Sequence, residues 1–500
     1  MRTPIVRRFW ALALAGAVLS TSPPAQAQST AADDGGFLDR FLRHYLDDLN
    51  PPPAATPADD APLPRRPAPF PPQPQTTPPM PFTDWPYGGS ATIGANLPNQ
   101  VPGALGTALA PTGLGRALNE AGIQVYGWLN SGFNLSNNTR ATKGGNAPVA
   151  YTYNANTVSF DQGALYIERV PNTVQREYID WGFRVTGIYG TNYRYTTAYG
   201  LFSGQLLGHN NQNGYDIPMA YGELYIPWVA GGMVIRAGRF ISLPDIEAQL
   251  AVNNYMYTHS MTYTFDNYTN TGLMTTTQLN RNWILQLGVT TGTDTLVFNR
   301  ARDPGSQPSG TGCLRWTSDD SSNSVYGCAN GLNNGRWGYN NLQQYVLTLY
   351  HSFNPRWHIS WENLYMYQRN APNLAQTGGS YENTPFASIR RNPPNQAQCQ
   401  QTEVANCTAR AFGSLVYLNY RLNDFNNITL RAEYYDDMQG QRTGTRTRYL
   451  NAAIGLQHFI TPSVILRPEI GTYNALDRRA FDGQTRRSAI IAAADLVFRF

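Results

Sequence analysis

The chain has 500 residues, a formal net charge of +4, 14% charged residues and 12% aromatic ones. Neither that charge nor any basic run supports nucleic-acid binding. Forty-five glycines and 35 prolines against four cysteines exclude a small fold packed by disulfides and indicate a long chain rich in turns.

Residues 1–27 read as a secretory signal. Arg2, Arg7 and Arg8 precede the apolar run "FWALALAGAVL", which is shorter than the roughly 20 residues a spanning helix needs. "AQA" at 25–27 is a small-x-small cleavage site, so the mature chain is expected to start at Gln28. A retained anchor is the competing reading; a lipoprotein is disfavoured because no cysteine follows the run.

Within 28–50, "FLDRFLRHYLDDL" puts Phe37, Leu38, Phe41, Leu42, Tyr45, Leu46 and Leu49 on one helical face. So short a helix needs a partner: a copy of itself, the rim of a larger domain or another exported protein. Residues 51–120 follow as a Pro-rich, disordered or irregular periplasmic segment, with 14 prolines between 51 and 82, extended and semi-rigid.

From 121 to 500 the texture is strand after strand. In "IQVYGWLNSGFNL" (123–135), Ile123, Val125, Leu129, Phe133 and Leu135 alternate with Gln124, Tyr126, Trp128, Asn130 and Asn134. "YIDWGFRVTGIY" (178–189) repeats the pattern, and so do segments near 163, 221, 233, 271, 283, 345, 357, 414, 427, 449, 464 and 492. The period of 2 is that of β-strands. Their number is expected to be about 14, within 12–16. Short turns ("VAGG", "NRN", "NPR", "NDFNN", "TPS") alternate with long polar loops near 190–217, 293–340, 369–411 and 437–447. No apolar stretch after the signal has the length of a membrane helix. An exported chain of this kind is an all-β, transmembrane, antiparallel up-and-down β-barrel, because only helices and closed barrels satisfy their backbone in lipid. Tyr126, Trp128, Trp181, Tyr189, Tyr225, Trp228, Trp283, Trp357, Trp361, Tyr365 and Tyr367 gather near strand ends, as interfacial girdles do. A soluble sandwich lectin is the disfavoured rival.

Parity assigns the inner wall. Asp180 and Arg184, Glu223, Arg236, and Arg431 with Glu433 are expected to line a pore; Arg467 with Glu469 and Asp495 with Arg499 repeat the arrangement. Such pairs serve equally well as salt bridges bracing the wall. The segment 241–260 carries Asp245 and Glu247 and is expected to fold inward, with its carboxylates biasing ion passage toward cations; an external loop helix is the alternative. In the last strand, Ala492, Ala494, Leu496, Phe498 and Phe500 make one apolar face. Leu496, Phe498 and Phe500 are expected to form the membrane-insertion signal read by the barrel assembly machinery.

The cysteines fall in two local pairs, Cys313 with Cys328 and Cys399 with Cys407, each in a segment that reads as an external loop. Disulfides within each pair are expected; four cysteines allow three pairings. A metal site is the weaker alternative, since no His stands at ligand spacing and no C-x-x-C occurs. No motif of the G-x-S-x-G, H-E-x-x-H or P-loop kind is found, so neither catalytic, cofactor-binding nor metal residues are expected. His358 and Ser360 share a strand face with Glu362, which places them on the lumen wall.

The stretches "EYIDWGFRVTGIYGTNYRYTTAYG" (177–200), "YDIPMAYGELYIPWVAGGMVIRAGRFIS" (215–242) and "NNYMYTHSMTYTFDNYTNTG" (253–272) resemble the OmpL-like family of outer-membrane β-barrel porins, over roughly 120–300. The resemblance implies a porin-like barrel and no particular substrate. The expected function is diffusion of small hydrophilic solutes through a polar lumen in the bacterial outer membrane. The expected partners are its lipids, the assembly machinery, the solutes and copies of the same chain. The alternative is a structural barrel anchored through its Pro-rich arm, with little or no conductance.

Overall fold

A computed structural model describes residues 35–49, 93, 103–139, 144–202, 204–205, 209, 212–243, 245–298, 301, 307–334, 341–377 and 397–500. The expected signal segment 1–27 and the Pro-rich run 51–82 lie outside the described residues.

Sixteen antiparallel strands, each paired to the next in sequence, close into one barrel. They are β1 Gln124–Ser136, β2 Val158–Arg169, β3 Asp180–Gly190, β4 Gly214–Ile226, β5 Met233–Ile241, β6 Thr269–Gln278, β7 Trp283–Thr293 and β8 Ser309–Thr317. The second half comprises β9 Asn323–Leu332, β10 Gln343–Asn354, β11 Trp357–Pro372, β12 Asn406–Asn423, β13 Asn426–Asp437, β14 Thr447–Thr461, β15 Val464–Ala475 and β16 Ser488–Arg499. Sixteen stands at the top of the expected range. The two strands that the periodicity does not mark are β8 and β9. "SGTGCLRWT" and "NSVYGCANGL" are so rich in Gly, Ser and Asn that neither face shows an apolar stripe.

Closure is made by β1 and β16, from Trp128 opposite Arg499 to Ser136 opposite Ile491. Beyond that ladder Gly127 and Phe500 exchange both backbone hydrogen bonds, at 3.0 and 2.9 Å. Closure removes every sheet edge, which lipid would otherwise leave unpaired.

Alternation sorts the two surfaces. On β1, Leu129, Phe133 and Leu135 are exposed outside, while Asn130 and Asn134 are buried inside. Trp181, Tyr189, Trp228, Trp283, Trp357 and Trp361 also stand on the outer surface. Three of the aromatic residues expected in a girdle face inward instead: Tyr126, Trp128 and Tyr225 are 0–1% exposed. Tyr126 and Trp128 sit on the inward parity with Asn130, and Tyr126 donates to Glu168 at 2.8 Å.

Turns at one end are short: 279–282, 318–322, 355–356, 424–425 and 462–463. Connections at the other end are long, and the one after β5, residues 242–268, turns into the lumen. The helix α1, Phe37–Leu49, lies against the short-turn rim. Tyr45 donates to the Arg499 carbonyl at 2.7 Å, and His44 Nε2 is 3.3 Å from the Ser463 hydroxyl. The barrel rim is one of the three partners its sequence allowed; α1 packs as well on α2, Ala104–Leu109, where Arg40 donates to the Ala108 carbonyl at 3.2 Å, so the part of 51–120 nearest the barrel is helical, with α3 at Gly113–Glu120, where an irregular segment was expected. Leu38, Leu42, Leu46 and Leu49 remain exposed on it.

Both cysteine pairs are bonded as expected. Cys399–Cys407 joins the β11–β12 loop to the start of β12. Cys313–Cys328 corrects the expectation of an external loop. The two residues oppose each other across β8 and β9, and their side chains are buried in the lumen among Tyr257, Met261 and Leu364. Non-reducing peptide mapping of the purified protein is expected to recover 313 joined to 328 and 399 joined to 407. A cross-linked peptide pairing 313 with either distant cysteine would refute this connectivity.

Candidate functional site: a lumen crossed by an inward segment

Sixteen strands alone enclose an aqueous channel. Here the segment 242–268 occupies much of it. Its residues from Leu250 to Tyr268 are almost all buried, and the wall is shaped to receive them. Gly132, Gly413 and Gly455 face inward where a Cβ atom would meet Tyr257, Thr262 and Met256 at 2.3, 2.5 and 3.1 Å. Glycine inside a strand commonly marks such close approach.

Charged wall residues then grip the segment's backbone. Glu469 accepts from the Tyr257 and Thr258 amides at 2.9 and 3.2 Å. Glu433 accepts from the Thr262 amide at 2.6 Å and its hydroxyl at 2.8 Å. Glu362 accepts from the Ile246 amide at 2.8 Å. Arg467 donates to the Ala251 and Asn254 carbonyls at 2.6 and 2.9 Å while paired with Asp495. Arg431 donates to the Thr258 hydroxyl at 2.8 Å. On the opposite side Asp161 accepts from the Tyr257 hydroxyl at 2.8 Å. Hydrogen bonds to charged groups contribute about 1.5–3 kcal/mol each, so contacts spread over β2, β11, β13 and β15 hold the segment as a structured plug.

Each parity-assigned residue is on the inner side of the wall, with different surroundings. Asp180 pairs with Arg169 at 2.9 Å, and Arg184 with Glu168 at 2.7 Å. Arg236 pairs with Glu223 at 2.7 Å, and its guanidinium lies 4.3 Å from the Tyr221 ring centre. Arg431 and Glu433 are beneath the inward segment, each 3% exposed. Glu247 is 7% exposed; it accepts from Ser260 and Tyr417 and lies 3.6 Å from Arg431. Its charge is therefore used within the contact between segment and wall. Asp245 is less covered. It interacts with Asp266, and burial pushes its carboxyl up to about 7. Burial first, then the Asp245 charge, also holds Asp266 well above the carboxylate range. His358 bonds the Tyr255 hydroxyl at 2.8 Å, so this histidine is a lumen residue that holds the segment.

The inward-facing side chains that keep some exposure cluster elsewhere. Glu223, Arg236, Arg315, Tyr326, Tyr350 and His358 are part-exposed, all toward the short-turn ends of β4, β5 and β8–β11. At these positions, among the described residues, the inner wall keeps access to solvent. Arg315 was not legible in the sequence, because β8 reads as loop. The inward glycines are a signal the sequence does carry, once strand parity is known.

An up-and-down barrel with an apolar outer wall and a polar, charge-studded interior defines a transmembrane barrel of the outer-membrane type. The chain belongs to the family described as Putative beta-barrel porin-2, OmpL-like, whose model matches residues 122–500. The match extends the resemblance from the first half of the barrel to all of it. A comparison with curated proteins found no match. Among solved structures, the outer membrane channel DcaP of Acinetobacter baumannii is 10% identical, covering 76% of this chain and 97% of its own, with a TM-score of 0.47. The anion-selective porin from Comamonas acidovorans is 9% identical, covering 76% and 99%, with a TM-score of 0.47. In-vitro folded OmpT of Vibrio cholerae is 8% identical, covering 76% and 97%, with a TM-score of 0.44. Family and fold support an outer-membrane channel protein and give no support to an enzyme.

Proposed function

We propose that the protein is a diffusion porin for small hydrophilic solutes, with a passage restricted by the segment 242–268. The observation that carries this reading is the combination of a closed 16-strand wall with a polar lumen in a porin family. In this reading the short turns and α1 face the periplasm, the long loops face outward, and the arm 28–120 stays on the periplasmic side. Leu496, Phe498 and Phe500 present the strand that the assembly machinery recognises, and outer-membrane lipid covers the apolar belt. Association with copies of itself is compatible with this arrangement.

A second reading has its own support. The plug is bonded to the wall at many points and α1 is docked on the rim, as a structural barrel with little conductance would require. Planar-bilayer recording separates the two. The porin reading expects discrete single-channel steps smaller than an unobstructed 16-strand barrel would give. It also expects liposome swelling that falls steeply with sugar size. Folded barrels that insert and carry no current would establish the structural reading instead.

A further inference from the structure

Five consecutive strands, β6 to β10, contain no Asp or Glu at all, and Arg315 is their only Arg or Lys. Its side chain points into the part-exposed sector of the lumen, opposite Tyr326. It donates from Nε to the Ser324 hydroxyl at 3.4 Å, and its guanidinium lies 5.7 Å from the Tyr326 ring centre. Among the described residues no carboxylate pairs with it. Four other inward-facing arginines each have one: Glu168 for Arg184, Glu223 for Arg236, Glu247 for Arg431 and Asp495 for Arg467.

A cation drawn partly out of water without a counter-charge is costly, and a permeating anion would offset that cost. The neighbouring acids are already engaged. Glu223 on β4 is taken by Arg236, and Glu362 on β11 is bonded to the inward segment. Asp245, raised to about 7 by burial, carries only part of a charge at neutral pH. Among the described residues Arg315 is thus left as the cation here that no carboxylate pairs.

We infer that Arg315 is an anion-binding point in the lumen and makes the passage prefer small anions over cations. This inference rests on the diffusion reading and reverses the sign of selectivity that Asp245 and Glu247 led the sequence to predict. Glu247 is consumed by Arg431, Ser260 and Tyr417, and Arg315 sits in a strand that reads as loop.

The test is the reversal potential in a potassium chloride gradient across a planar bilayer. Wild type is expected to prefer chloride. Arg315→Gln is expected to lower the chloride-to-potassium permeability ratio roughly three-fold, as loss of one poorly screened charge beside a narrow passage should. Arg315→Lys, which keeps the charge, is expected to stay near wild type. Heat-modifiable gel mobility checks that each variant forms the barrel. If Arg315→Gln does not fold, the wild-type potential still decides: cation preference, or none, overturns the inference. So does an unchanged potential in a folded Arg315→Gln. In those cases current still flows and the diffusion reading stands. A barrel that carries no current overturns both.

Discussion

Replacing residues 246–265 with a short Gly-Ser linker is expected to raise single-channel conductance roughly five-fold or more, because a 16-strand wall alone encloses an aqueous channel. The wall does not need the segment in order to close. All sixteen strand pairings are made by the strands themselves. Removing the segment admits water to Glu433, Glu469, Arg431 and Arg467, which would then be hydrated rather than stranded. Heat-modifiable mobility should be retained, and the conductance steps should widen. Unchanged steps in a folded variant would show that the obstruction lies elsewhere, for example in the long loops.

Deleting Phe500 is expected to abolish accumulation of the folded barrel in the outer membrane, leaving the chain in the periplasm or degraded. Phe500 makes the last two backbone bonds of the closing seam, both with Gly127. Its ring covers Gly127 from the outside, where a Cβ on that glycine would stand 2.8 Å from the ring. The residue therefore links the seam to the lipid-facing apolar row of Leu496 and Phe498. Phe500→Ala keeps the backbone pairing and loses the ring, so an intermediate yield is expected. Normal membrane yield of the deletion, measured by detergent extraction and mobility shift, would show that the closing residue is dispensable for insertion.

Strand parity made most of the wall legible in the sequence. Asp180, Arg184, Glu223, Arg236, Arg431 and Glu433 face inward as their neighbours' apolar alternation required. Parity reports direction and says nothing about what fills the space beyond. It could not show that Glu433 and Glu469 hold backbone amides of a distant segment, because those contacts join residues about 170 and 210 positions apart. Apolar alternation also failed where it was weakest. β8 and β9 pack small polar residues on both faces, so Cys313, Cys328 and Arg315 read as loop. Tyr126 and Trp128 show a related limit. A large aromatic residue suits both a membrane interface and a crowded lumen, and composition alone does not choose between them. The three inward glycines were visible throughout, yet their meaning depends on knowing which side of the strand they occupy.

The bond between Cys313 and Cys328 also constrains the order of events in assembly. It links two strands of one hairpin, 15 residues apart in sequence, so forming it requires only a local turn. In the finished barrel Cys313 and Cys328 are 2% and 7% exposed, in one buried cluster with Tyr257 and Met261. An oxidase working on the completed protein would find them shielded, and a reductant would meet the same barrier. The bond therefore forms before the segment 242–268 seats. The bond then remains as a lasting link between the two strands, out of reach of solvent.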